Sequence, residues 1–179
     1  ELDPNAAPFV DTQVGAQDSG IRVRLDAALS ALRQADAQIV ELVPLTGRPG
    51  PLDSRAKDQA ERARVLLTRA EASVREVVKL VPGTTFEAIG PPAGETADRH
   101  MAPARTALDL AVLTDGPVER AAQVRTARLE IDRSIAGIEA LKETLGRLSA
   151  AIREAEKMRE LADRERDLAA RARADNAKQ

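Results

Sequence analysis

The apolar residues between positions 60 and 81 recur at alternating intervals of three and four, and this pattern constrains the fold more than any other feature. They are Ala60, Ala63, Leu67, Ala70, Val74, Val77 and Val81. Such spacing places side chains on one face of an α-helix, the face through which coiled coils and long-helix bundles pack. The sequence therefore predicts a helix that begins at Asp53 or Ser54 and ends at Pro82-Gly83.

The composition fits packing through small aliphatic side chains. The chain is 43% hydrophobic, yet among 179 residues it has two Phe and no Tyr, Trp or Cys. Without Cys there are no disulfides, thiolate nucleophiles or sulfur-ligated metals. Without aromatic residues there is no platform on which nucleobases stack. The formal net charge of −2 also gives no overall field that attracts nucleic acid or an anionic membrane.

Three further helices are predicted from the same periodicity. They cover about residues 18–43, 104–113 and 117–172. Residues 1–19 carry acidic residues but no Lys or Arg, and we expect an acidic, extended N-terminal tail. Residues 82–103 contain four Pro and three Gly, which predicts an irregular loop, because both residue types are unfavourable inside helices.

The last predicted helix is longer than the others and changes its spacing near its end. At 1.5 Å per residue it would extend about 80 Å, roughly twice the length of the first two helices. Two consecutive steps of three residues meet near Met158, which in a coiled coil is a stammer. We expect the final residues either to project beyond the other helices or to break and fold back.

The predicted fold class is therefore all-α. We expect an antiparallel helical bundle of three long helices and one short helix over residues 20–155. The last helix is expected to extend as a coiled-coil-like arm over residues 156–179, called the C-terminal segment below. No apolar run approaches the roughly 18 residues that a membrane-spanning helix needs, so no span is expected within this chain.

The sequence offers little for catalysis. His100 is the single histidine, and the Glu-x-x-His pairs of di-iron bundles are absent, so we expect a surface or packing histidine. The glycines of residues 47–50 and 83–94 are not followed by the Gly-Lys-Ser/Thr of a phosphate-binding loop. No catalytic, cofactor-binding or metal-ligating residue is predicted, and we expect no cofactor.

Charged residues of the last helix are predicted to lie in solvent. Glu139 and Glu143, like Glu156 and Glu160, are four residues apart, but both pairs lie off the apolar face. Residues 147–179 contain nine Lys or Arg and seven Asp or Glu in alternation. This mixture is typical of an exposed helix with internal ion pairs, and we do not expect nucleic-acid binding.

Five apolar residues are the candidates for binding another protein. The two aromatic residues, Phe9 and Phe86, both fall outside the predicted helices, and Phe86 is a candidate together with Ile89. The loop segment from Phe86 to Ile89 is expected either to plug one end of the bundle or to anchor a partner. The remaining candidates follow the heptad pattern of the C-terminal segment: Met158, Leu161 and Leu168.

These features favour a non-enzymatic interaction or scaffold protein that presents long helix faces to itself or to a protein partner. The alternative is a helical-bundle sensor that binds a small aliphatic or lipid molecule, with residues 82–103 as a lid. An enzyme is the least favoured class. The high ratio of Arg to Lys is typical of a bacterial genome rich in GC. With no Cys and a first residue other than Met, the sequence favours an exported or cell-envelope location over the cytoplasm.

Overall fold

The protein is all-α. The computed structural model describes the backbone of residues 6–176 and the side chains of residues 14–173, and this part contains helices and turns but no strand. The helices are α1 (Ala6–Leu42), α2 (Ser54–Leu80), α3 (Gly90–Thr96), α4 (Ala102–Leu113) and α5 (Pro117–Asn176). Contacts divide the chain into two compact units, residues 1–144 and residues 145–179. This confirms the predicted fold class.

Helix α2 forms as its sequence predicts. The Asp53 carboxylate accepts a hydrogen bond of 2.8 Å from the amide of Ala56, which satisfies a free donor of the first turn. After the helix, Gly83 adopts a φ of 71°, a left-handed conformation that residues with a Cβ rarely adopt. All seven predicted apolar positions are buried, with Leu67 only 1% exposed. The periodicity therefore predicted both the helix and its packing face.

In the first unit, α1 and the first part of α5 are antiparallel neighbours. Asp26 of α1 forms an ion pair of 2.5 Å with Lys142, and Asp36 forms one of 3.1 Å with Arg128. Residue numbers increase along α1 while the numbers of their partners decrease along α5, so the two helices run in opposite directions. Helix α1 also packs along α2, and α2 packs along α3 and α4. Residues 6–144 thus form an antiparallel bundle with a core made mainly of Ala, Leu, Val and Ile.

The prediction of an irregular loop over residues 82–103 is wrong for most of that range. After a short 3-10 turn, α3 leads through one π-helical turn, Ala97–Met101, directly into α4. Pro91 and Pro92 lie in the first turn of α3, where a missing amide costs nothing because that turn has no intrahelical acceptor. The bundle therefore has a long third helical segment, residues 90–113, rather than the one predicted short helix.

The π turn keeps one face of this third segment in the core. Ile89, Ala93, Ala97 and Met101 are fully buried at successive spacings of four residues. In a regular α-helix, each step of four advances about 40° beyond a full turn, so this row would rotate out of the core. The wider turn, in which the amide of Ala102 bonds the carbonyl of Ala97, offsets part of this rotation over the step from Ala97 to Met101. It also precedes Pro103, which has no amide to donate.

The predicted extended tail of residues 1–19 is also wrong where the structure describes it. Helix α1 begins at Ala6, so residues 6–19 are helical, whereas residues 1–5 lie outside the described part. Pro8 falls within the first turn, where its ring is tolerated. Residues 9–19 contain no other proline, and their acidic character does not oppose helix formation. Phe9 lies in α1, but its side chain is outside the described side chains.

In the second unit, α5 continues without a break to Asn176. The predicted alternative of a broken last helix is therefore wrong. Gly146 and the change of spacing near Met158 are both accommodated within regular helix. From residue 153 to residue 173, every described side chain is exposed or half-exposed.

Candidate interaction surfaces

The apolar residues of the C-terminal segment lie in solvent. Met158 is 60% exposed, Leu161 52% and Leu168 64%. Large apolar side chains usually gain about 1.5–3 kcal/mol each when they are fully buried. A second helix that packed over these three side chains would therefore gain free energy from their burial.

Their spacing defines a coiled-coil face. With Met158 at heptad position a, Leu161 and Leu168 occupy position d, and Glu165 and Ala172 occupy position a. Positions a and d share one side of a helix, so these residues form a continuous strip, called the apolar strip below. Glu165 is exposed and is the one charged residue within it. The strip is thus short and aliphatic, with a carboxylate at its centre.

Phe86 and Ile89 do not form an exposed anchor. Both side chains are fully buried, at the end of the bundle where α2 leads into α3. Turn hydrogen bonds hold the segment, including 3.0 Å from the amide of Ile89 to the carbonyl of Phe86. Of the two predicted roles for this segment, the structure matches the plug, and these residues are removed from the candidate partner surface.

His100 lies on the π turn and joins it to α5. Its Nδ1 is 2.7 Å from Oε2 of Glu130, and Arg133 donates to Oε1 of the same carboxylate at 2.5 Å. Glu130 is buried, and its two partners satisfy both of its oxygens. The hydrogen bond between His100 and Glu130 links the π turn to α5.

A cleft of about 240 Å³ lies beside this cluster, between α3 and α5. Its floor is close-packed, because a Cβ on Gly137 would come within 2.8 Å of Oγ1 of Thr96. The Thr96 hydroxyl itself donates to the carbonyl of Pro92 at 2.9 Å. The Thr96 hydroxyl is therefore engaged within the bundle.

Glu71 is the centre of a second polar cluster, on the face shared by α2 and α4. It accepts hydrogen bonds from Arg75 at 3.0 Å and from Arg105 at 2.8 Å, and it is itself buried. Arg75 also donates to Asp98 of the π turn at 2.8 Å. Hydrogen bonds to Asp98 and Glu71 raise the pKa of the Arg75 guanidinium. These contacts fix the π turn against α2.

The paired carboxylates of α5 do not converge on a cation. Glu139 forms an ion pair of 3.0 Å with Arg33 of α1, and Glu160 lies 4.0 Å from Arg164 one turn later. Across the residues whose side chains are described, no group of three or more His, Cys, Asp or Glu is arranged to hold a metal ion.

Arg120 has a structural role that was not predicted from the sequence. Its side chain is fully buried, and each hydrogen bond that the described part of the structure gives it goes to a main-chain carbonyl. Its acceptors, in the α1–α2 and α4–α5 connections, are Thr46 at 3.3 Å, Arg48 at 3.0 Å, Gly50, Thr114 at 2.7 Å and Asp115 at 3.1 Å. A guanidinium has five N–H donors, and here they tie two connections to α5. Nothing in the local pattern distinguishes this Arg from the exposed ones.

A groove of about 470 Å³ runs between α2 and α4. Charged side chains line its edges, and Leu108, Val112 and Leu113 form its apolar part. Arg64 donates two hydrogen bonds to Glu61 at this edge, and this lowers the pKa of the Glu61 carboxyl. The groove is a surface feature between two packed helices.

Comparisons with known proteins add no assignment: no family model matches the chain, and neither the curated proteins nor the solved structures contain a match. Among the helices of the described part, none combines the length and apolar character that crossing a bilayer requires.

Proposed function

We propose that this protein is a non-enzymatic interaction protein, which folds as a helical bundle and binds a protein partner through the C-terminal segment. The observation that carries the proposal is the exposure of Met158, Leu161 and Leu168 along one helix face. Contiguous exposed apolar surface is typical of interaction sites. Helices commonly use it to bind other helices through anchors spaced by three and four residues.

The competing hypothesis is a ligand-binding bundle with residues 82–103 as a lid, and the fold of most of these residues does not support a lid. Residues 90–101 form α3 and the π turn, and their apolar face is buried in the core rather than poised over a cavity. The clefts beside His100 and between α2 and α4 are open grooves edged by charged residues. The exposed strip of the C-terminal segment therefore carries more weight than either cleft.

Site-specific photo-cross-linking tests the proposal with a matched pair of alanines. Ala162 lies beside the apolar strip, at heptad position e, and Ala170 lies on the opposite side of the helix, at position f. We would place a photo-cross-linking residue at one or the other position in the intact chain and irradiate it in cells that express it. We expect a discrete cross-linked protein from position 162 and little from position 170.

A second variant checks that the apolar strip is responsible. Replacing both leucines with serine, Leu161→Ser and Leu168→Ser, removes the apolar anchors, and we expect the adduct at position 162 to disappear. Circular dichroism at 222 nm would verify that the bundle is still folded. Equal labelling from positions 162 and 170, or an adduct that survives the double substitution, would contradict the proposed function.

A further inference from the structure

A row of basic residues runs beside the apolar strip. Lys157, Arg164 and Arg171 recur every seven residues, each immediately before a residue at position a. They therefore occupy heptad position g, which flanks the interface of a coiled coil. All three are exposed, with the Arg164 side chain 74% accessible. We call these three residues the basic row.

The other flank of the strip carries no charge. Position e is filled by Ala155, Ala162 and Ala169, so the two flanks differ in both size and charge. The acidic residues of the segment lie mainly on the outer side, at positions c and f, for example Glu160 and Asp163. A partner that covers the strip would therefore meet positive charge along one edge and small neutral residues along the other.

Two copies of this chain do not fit each other through this face. In a parallel pair, residues at position a face each other, which would bring Glu165 of both copies together inside the interface. In an antiparallel pair, position g faces position g, which would place the two basic rows side by side. Like charges at these distances oppose association, and burying a carboxylate without a partner adds a desolvation cost.

We propose that the occupant of the apolar strip is an amphipathic helix of another protein, with a row of acidic residues along one edge of its apolar face. This inference rests on the proposed function and adds the chemistry of the partner. Acidic side chains opposite Lys157, Arg164 and Arg171 form the flanking ion pairs that set partner choice in coiled coils. A Lys or polar residue of the partner lies opposite Glu165 and satisfies its carboxylate.

Two synthetic peptides test this inference with the intact chain. Both have four heptads with Ile and Leu at the apolar positions and one Lys opposite Glu165. One has Glu at every flanking position e and g, and the other has Lys at those positions. Binding would be measured by fluorescence anisotropy of the labelled peptide. We expect the acidic peptide to bind at least about tenfold more tightly than the basic one, because three attractive flanking pairs replace three repulsive ones.

Two charge-reversed variants are compared, one of the basic row and one of three control arginines. The triple substitution Lys157→Glu, Arg164→Glu and Arg171→Glu reverses the basic row and should invert the preference, so that the basic peptide binds more tightly. The control reverses three arginines at the outer position b: Arg159→Glu, Arg166→Glu and Arg173→Glu. It changes the net charge by the same amount, and we expect it to keep the preference for the acidic peptide.

The outcomes separate this inference from the proposed function. Equal binding of both peptides, lost on Leu161→Ser with Leu168→Ser, would overturn the acidic partner and leave the interaction surface in place. A dimer in light scattering that dissociates with the same two substitutions would also overturn it, in favour of a second copy. Binding of the chain to vesicles of anionic phospholipid, together with equal binding of the two peptides, would overturn it as well. If neither peptide binds, the inference fails, and the cross-linking result alone decides the proposed function.

Discussion

Arg120 shows how much one residue can depend on its surroundings. A buried guanidinium normally has a carboxylate partner, since an uncompensated buried charge is strongly unfavourable. Here main-chain carbonyls of two connections surround it instead, at the end where α1 and α4 finish. Arg120 therefore ties the α1–α2 and α4–α5 connections to the start of α5.

Removing the Arg120 hydrogen bonds should destabilise the bundle strongly. For Arg120→Met we expect a loss of about 3–5 kcal/mol in the free energy of unfolding, because several buried carbonyls lose their donors. For Arg120→Lys we expect an intermediate loss, since three donors on one nitrogen cannot span both connections. Urea unfolding followed by circular dichroism measures both values. Arg125→Met, at an exposed position of the same helix, should change stability by less than about 0.5 kcal/mol.

At the scale of elements, the third helical segment was the least predictable. Its prolines and glycines resemble a loop in sequence, yet the first two prolines occupy a first turn and the third follows a π turn. The signal that was overlooked is the repeated spacing of four from Ile89 to Met101, which an α-helix keeps on one face only with one extra residue in a turn. The close approach of α3 to α5 at Gly137 depends on the same segment.

Two glycines of these elements should respond oppositely to substitution by alanine. Gly137→Ala would place a Cβ 2.8 Å from Oγ1 of the buried Thr96, and we expect a loss of about 1–3 kcal/mol from overpacking. Gly94→Ala would meet Val78 at an ordinary 4.0 Å, and we expect a gain of about 0.5–1 kcal/mol from helix propensity. Thr96→Ala should recover most of the first loss when the two are combined. Thermal unfolding of the four variants measures this, and a stable Gly137→Ala protein would contradict the packing.

At the scale of the whole molecule, the buried residues and the residues of the proposed interaction surface can be compared. In the described part of the chain the last buried side chains are Leu145 and Ser149, whereas the apolar side chains of the C-terminal segment are exposed. Residues that stabilise the fold and residues that carry the proposed interaction therefore lie in different parts of the chain.

Deletion of residues 156–179 should leave the bundle folded. We expect an unchanged midpoint of thermal unfolding within about 2 °C, because no residue removed is buried in the described part of that segment. The same deletion should abolish binding of the acidic peptide. As a control, truncation after residue 130 removes buried core residues of α5, including Ile131 and Ile138, and should unfold the bundle. A large drop in the midpoint for the first deletion would show that the C-terminal segment supports the fold.

The sequence alone determined the all-α class, the course of α2, the C-terminal ends of the first two helices and the heptad pattern of the C-terminal segment. These follow from periodicity and local capping, which depend on residues only a few positions apart. The tertiary structure decided what depends on distant residues: the helical course of residues 90–101, the burial of Phe86 and Ile89, and the contacts of Arg120. Each is fixed by groups that meet only when the bundle forms, such as the carbonyl of Arg48, 72 positions away in sequence from Arg120.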